Sequence, residues 1–188
     1  DIQLKVLSLD IETNKNTEEL FCIGLYSHNY EKTFIKADKK VDGAIICKTE
    51  AEVLSKFRDE VIKFDPDIIT GWHVIDFDLN YLKKKFEEHN IPFNFGRTNE
   101  NIRLKIEDNF FRSSTANIPG RQVLDGLNLI KDPFIKEAPS IKSKEFESYS
   151  LENVSQEMLG EGKIIKGKDR HKELEEIYKT DKEKLVRY

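Results

Sequence analysis

The stretch Asp65-Pro66-Asp67-Ile68-Ile69-Thr70-Gly71-Trp72 decides the architecture. Asp65-Pro66-Asp67 is a break, because proline lacks an N–H and pushes the residue before it out of the helical region. Ile68-Ile69-Thr70-Gly71-Trp72 then reads as a short apolar strand of the kind buried between helices. Upstream, Val53, Leu54, Phe57, Val61 and Ile62 recur at spacings of three and four, so a helix runs from Thr49 to the break. Thr49 is its N-cap, and Glu52 three residues later has capping-box spacing. Downstream, Leu79, Leu82, Lys83 and Phe86 trace one side of a second helix, beginning near Asp78 and ending before Asn90-Ile91-Pro92. A helix followed by a buried strand implies a crossover.

Further out the period is that of strands. Leu4-Lys5-Val6-Leu7-Ser8-Leu9 ends in Asp10-Ile11-Glu12-Thr13-Asn14, and Leu20-Phe21-Cys22-Ile23-Gly24-Leu25-Tyr26 follows a polar turn, so the two are expected to pair as a hairpin. Lys32-Thr33-Phe34-Ile35 and Gly43-Ala44-Ile45-Ile46-Cys47 are shorter strands that complete an antiparallel start to the sheet. Beyond the second helix, residues 92–120 lack a period and read as an irregular or hairpin-bearing insertion. Arg121 to Asp125 is another strand, with Leu127 to Ile130 leading into a helix, and residues 133–146 are linker-like. Ser150 opens a helix through Leu159 that Gly160 closes. The segment from Asp169 to Tyr188 alternates charges at a helical period and is expected to be a solvated surface helix. Strands first, then strand and helix in alternation, give an α/β class: a mixed β-sheet flanked by helices.

The 188 residues fit a single domain over 1–188 with a proper core. With 31 Lys+Arg against 35 Asp+Glu the net charge is −4, which excludes a domain that holds nucleic acid by bulk positive charge. A phosphate-bearing partner then needs local basic groups or metal ions. No apolar run approaches the roughly 18 residues that span a bilayer, and the start lacks the layout of a signal peptide, so no membrane partner and a cytoplasmic location are expected. Cys22 and Cys47 stand far apart and imply neither a disulfide framework nor a thiolate metal site. The first residue is Asp and the last ones look helical, so the chain is expected to be a piece of a longer protein.

The acidic residues at the strand ends carry the chemistry. Asp10 and Glu12, two apart in an extended segment, project to the same side at the end of the first strand. Two carboxylates so close repel one another unless a cation lies between them, and hard divalent ions such as Mg²⁺ or Mn²⁺ want oxygen ligands. A chain with 35 acidic residues offers several such pairs by chance. The placement at the end of a central strand, where ligands bind in open α/β sheets, gives this pair its weight. Asp78 stands where a helix follows a buried strand and can project to the same edge. Its bland alternative is a simple N-cap, and Asp76 competes with it for the role.

These residues resemble a known family. Leu7-Ser8-Leu9-Asp10-Ile11-Glu12-Thr13 resembles the first motif of the proofreading 3′–5′ exonuclease domain of family B DNA polymerases, in its bacterial polymerase II and archaeal branches. Asp67 through Leu82, with His73-Val74-Ile75-Asp76-Phe77-Asp78 at its centre, resembles the second motif, whose usual form is Asn, three residues, then Phe-Asp. Gly120-Arg121 through Asp125 and Tyr149 through Lys163 look like further segments of the domain. The resemblance implies a ribonuclease H-like fold and two-metal hydrolysis of the 3′-terminal phosphodiester of single-stranded DNA, with Mg²⁺ or Mn²⁺ as cofactor, two ions in the complete domain. It implies that Asp10 bridges both ions, that Glu12 binds the ion that activates water, and that Asp78 holds the second ion or its waters. Thr13, His73 and Phe77 take the positions that contact the DNA end. The third motif is a Tyr followed four residues later by Asp. If Tyr188 is that Tyr, orienting the attacking water, the last metal-binding Asp lies beyond the sequence and the fragment is expected to be weakly active or inactive. The implied partners are the 3′ end of single-stranded DNA and the remainder of the polymerase chain. His73 stands where the family has Asn, which keeps open a different class: an inactive exonuclease-like scaffold that positions DNA. Arg97, Arg103, Lys105, Arg112 and Arg121 are candidates to guide phosphates, with Phe110 and Phe111 for base stacking.

Overall fold

The computed structural model describes residues 3–16, 18–107, 113–160 and 170–187. Strands β1 (Val6–Thr13) and β2 (Leu20–Ser27) form the expected hairpin, and β3 (Tyr30–Lys36) continues it antiparallel. β4 (Ala44–Cys47) departs from expectation, because it pairs parallel with β3. Buried Ala37 and Val41 anchor the intervening loop, and Gly43 at φ +81° turns it, so the chain returns beside the start of β3. A strand this short carries no direction in its hydrophobic pattern.

Helix α1 (Glu50–Phe64) starts as read: the Thr49 side chain accepts from Glu52 N, and the Glu52 carboxylate accepts from Lys48 N at 2.7 Å. Val53, Leu54, Phe57 and Val61 form its buried face, whereas Ile62 is 45% exposed. The crossover places β5 (Ile68–Gly71) parallel to β1, and β8 (Gln122–Asp125) lies parallel on its other side. The sheet order is therefore β4-β3-β2-β1-β5-β8, with the carboxyl ends of β1, β5 and β8 at one edge. The second helix differs from its sequence reading: a π-helical turn, Ile75–Leu79, comes first, and α2 proper runs Asn80–Glu88. The insertion carries a hairpin of β6 (Arg103–Lys105) and β7 (Thr115–Asn117). After β8 come α3 (Gly126–Lys131) and two single turns, α4 (Pro133–Lys136) and α5 (Pro139–Lys142), each opened by a proline. α6 (Leu151–Leu159) has Ser150 as N-cap and Gly160 at φ +73° as C-cap.

Both sheet faces are covered. On one, Leu7, Leu9, Ile11, Ile23 and Ile69 pack against α1 and α2, beside edge-to-face rings of Phe57, Phe86, Phe93 and Phe95. On the other, α7 (Arg170–Thr180) and α8 (Lys182–Val186) bury Leu174, Ile177, Tyr178 and Leu185 against Phe21, Cys22 and Ile35, and Phe21 stacks on Tyr178 at 4.1 Å. The C-terminal segment is thus not the solvated helix its charges implied. Leu174, Ile177 and Tyr178 form a stripe at spacings of three and four that the charge alternation masks.

The edge opposite the carboxyl ends holds the arginines expected to guide phosphates. The Arg121 side chain is 1% exposed and donates to Asp65, to Pro66 O and to Phe95 O. Arg97 donates to Asp65 and Asp67, each at 2.8 Å. Both are structural cations: Arg121 is buried against loop carbonyls and the Asp65 cap of α1, and Arg97, more exposed, bridges Asp65 and Asp67 at the surface. Arg103 pairs with Glu100 at 3.7 Å and Lys105 pairs with Glu107, while Phe110, Phe111 and Arg112 lie outside the described residues. The hydrogen bonds from Arg97 and then Arg121 hold the Asp65 carboxyl down at about 2. This stabilisation is complete above the unfolded carboxyl value of about 3.9 and is lost as pH falls toward about 2. Asp65→Asn is expected to lower stability at neutral pH and to flatten the loss between about pH 4 and 2 in urea unfolding. An unchanged acid limb would show that the cluster contributes nothing.

Candidate active site

Alternation along β1 puts Leu7, Leu9 and Ile11 into the aromatic core, with Thr13 also buried, and turns Asp10 and Glu12 to the other face, Asp10 exposed and Glu12 half-buried. Pairing runs Glu12 with Cys22 and then slips to Thr13 with Leu20. The extra residue, Phe21, is on β2, so the bulge bends β2 where it faces Glu12 and Thr13. Thr13 is 6% exposed, and its hydroxyl donates to Asn14 O at 3.1 Å. Asn14 Oδ1 accepts from Glu18 N and Glu19 N, closing the loop, and Lys15 N donates to Glu175 of α7.

Asp78 is the buried member, 2% exposed, and its Oδ1 accepts from Ile11 N of β1 at 3.0 Å. The N-cap alternative is excluded, since Leu79 precedes α2 and no side chain caps that helix. The π-helical turn is the reason. Leu79 N reaches back to Val74 O at 2.8 Å, a spacing of five that inserts one residue and swings Asp78 over β1. The turn follows His73 at φ +60°, a left-handed conformation that His adopts more readily than most residues. It also needs Gly71: a Cβ there would lie 2.5 Å from Leu9 O and 3.0 Å from Val74 Cβ.

Electrostatics follow from the placement. Burial raises the Asp78 carboxyl to about 8, the nearby Asp10 and Glu12 charges add to the rise, and the Ile11 N–H opposes it. Cys22 reports the same field: burial pushes its thiol up, and then Glu12 and Asp10 push it further. The edge therefore concentrates negative potential from Asp10 and Glu12 around a buried carboxyl that, raised to about 8, stays largely protonated at neutral pH.

The remaining candidates surround it. Phe77 is 40% exposed, and the His73 side chain is half exposed, with Nδ1 3.9 Å from Asp76 Oδ2. Asp76 therefore is not part of the β1 cluster; its Oδ1 accepts from Ser114 Oγ of the insertion. Tyr188 lies outside the described residues. Among the described residues, one trio of potential ligands has its donor atoms all within 4.8 Å of one another, and it is His73, Asp76 and Asp125. Asp125 was not singled out from sequence. It is 4% exposed; Oδ2 accepts from Ile75 N at 3.1 Å, while Oδ1 accepts from Leu127 N and Asn128 N to cap α3. Both Asp125 oxygens accept from N–H groups, which ties the start of the π-helical turn and the start of α3 to the end of β8. The signal in sequence was an Asp ending a strand directly before a Gly-Leu-Asn-Leu-Ile helix start. Asp10, Glu12 and Asp78 do not form such a tight group.

Residues 2–154 match the family model for the DNA polymerase family B exonuclease domain. DNA polymerase II of Escherichia coli is 32% identical over 194 residues, covering 98% of this chain and 23% of that protein. The DNA polymerase delta catalytic subunit of Schizosaccharomyces pombe is 32% identical over 126 residues, covering 62% of this chain and 11% of that one. The chain thus spans a minor part of the length of these relatives. The family B DNA polymerase of the hyperthermophilic archaeon Pyrobaculum calidifontis shares the fold, with a TM-score of 0.69 at 18% identity over 98% of this chain and 22% of that one. Those arginine and charge-stripe corrections leave the motif order intact, and the chain belongs to the exonuclease domain of family B DNA polymerases.

Proposed function

We propose that the chain removes the 3′-terminal nucleotide of single-stranded DNA, as the proofreading 3′–5′ exonuclease unit of a polymerase whose remainder is its covalent partner. The observation that carries this is the buried carboxyl of Asp78, fixed by the Ile11 N–H beside Asp10 and Glu12. Three oxygen-donor side chains on one sheet edge fit hard divalent ions, and Asp10, Glu12 and Asp78, the last giving up its proton on binding, would hold Mg²⁺ or Mn²⁺, two ions in the complete domain. When bound, the ions supply Lewis-acid polarisation and neutralise charge at the phosphodiester. They also reverse the local field that a chain of charge −4 presents to a polyanion.

The chain's own groups bind and orient. Phe77 offers an exposed ring for the terminal base or sugar, and His73 offers a ring nitrogen as donor in place of the family's Asn amide. Thr13, held at the bulge, sets the backbone against which the 3′ end rests. Tyr188 supplies a phenol to orient the attacking water.

The rival reading is an inactive scaffold, and it rests on His73. Against it stands Asp78: a buried carboxyl pushed up by its neighbours costs stability, and a scaffold has no use for one. Two outcomes test the choice. In a version extended past Tyr188 through the expected third-motif Asp, digestion of 3′-labelled single-stranded DNA with Mg²⁺ or Mn²⁺ is expected to release mononucleotides, and Asp10→Ala in that version is expected to lower the rate at least about 100-fold, more than outer-shell changes cost. Metal-independent release, or an unchanged rate, would refute it. In metal-free protein at pH 7, Asp78→Asn keeps the acceptor for Ile11 N and removes the cost of protonating on folding a carboxyl that is ionised in the unfolded chain, so the thermal midpoint is expected to rise by about 2–6 °C, or about 1–2 kcal/mol. The same variant is expected to lose stabilisation by Mn²⁺; a lower midpoint with Mn²⁺ stabilisation intact would contradict the assignment.

A further inference from the structure

We propose that Asp125 is a positioning residue for the exonuclease site: its carboxylate clamps the π-helical turn and so fixes where Asp78 stands. The proposal rests on Asp78 being an ion ligand, as argued above. The turn hangs over the end of β5, between the strands that flank it, and it is tied to both. Toward β1, Asp78 Oδ1 accepts from Ile11 N at 3.0 Å. Toward β8, Asp125 Oδ2 accepts from Ile75 N at 3.1 Å. Register places Asp125 beside Gly71, the last residue of β5, so the second tie forms where the turn leaves the sheet. At 4% exposure no water competes for it.

A cap for α3 is the simpler role, and it does not account for the residue. Capping uses Oδ1 alone, through Leu127 N and Asn128 N. Serine caps a helix as well as aspartate does, and would do so without adding a further carboxylate to an edge that already holds Asp10, Glu12 and Asp78. What serine lacks is the reach of Oδ2 to Ile75. The packing is built around that contact: a Cβ on the next residue, Gly126, would lie 3.1 Å from the Trp72 ring and 3.2 Å from Gly71 O. The end of β5 and the start of α3 therefore approach closely enough for a short side chain to span them.

The test separates clamp from cap in the chain as it stands. Asp125→Ser, which keeps the cap and loses the clamp, and Asp125→Asn, which keeps the size but has one acceptor oxygen for two sites, are compared with wild type and Asp78→Asn. The readouts are calorimetric Mn²⁺ titration and amide hydrogen exchange. Asp125→Ser is expected to exchange the Ile75 N–H faster, to keep Leu127 and Asn128 protected, and to bind Mn²⁺ about 10–100-fold more weakly, the usual cost of losing an outer-shell partner. Asp125→Asn is expected to weaken Mn²⁺ binding in the same range and serves if the serine variant fails to fold. Wild-type Mn²⁺ affinity in a folded Asp125 variant whose Ile75 N–H exchanges freely would overturn the clamp. If wild type and Asp78→Asn bind Mn²⁺ alike, the ion-ligand reading itself fails and the positioning role falls with it.

Discussion

The hydrogen bond from Ile11 N to the buried carboxyl of Asp78 is the contact on which the rest of the site depends. It joins the first strand to a turn 67 residues later, and it does so next to two other carboxylates. Such a contact is favourable only with everything around it in place. The π-helical turn must supply the extra residue, Gly71 must let that turn lie on the sheet, and β5 must run parallel between β1 and β8. Fold and site are thus one constraint: the crossover that Asp65-Pro66-Asp67 announces is also what brings Asp78 to Asp10 and Glu12.

The two edges of the sheet divide the work. At the amino ends of β5 and β8, Asp65, Asp67, Arg97 and Arg121 form a satisfied ionic cluster whose charges cancel against one another. At the carboxyl ends, like charges accumulate and a buried carboxyl is pushed up to about 8. One edge spends its charged residues on stability, and the other gathers the carboxyls of Asp10, Glu12 and Asp78.

The features readable from sequence were those with local causes. The Thr49 cap of α1, the break at Pro66, the hairpin and the alternation that pairs Asp10 with Glu12 all follow from short-range rules, and all are present. Features that depend on distant partners were not readable. The direction of β4 is set by a loop anchored in the second core, the stripe of Leu174, Ile177 and Tyr178 is hidden among charges, and Arg97 and Arg121 look like free cations until Asp65 and Asp67 are seen beside them. Asp78 was placed at the right edge for an incomplete reason. Its burial and its bond to β1 come from a π-helical turn, which periodicity of 3.6 does not register. Asp125 went unnoticed because an Asp before a helix reads as a cap, and its second oxygen acts across the sheet.

Anomalous diffraction from crystals soaked in Mn²⁺ tests the central claim most directly. Manganese is expected within about 2.0–2.3 Å of carboxylate oxygens of Asp10, Glu12 or Asp78, and absent from Asp78→Asn crystals at the Asp78 position. No manganese at that edge, or manganese confined to His73, Asp76 and Asp125, would contradict it.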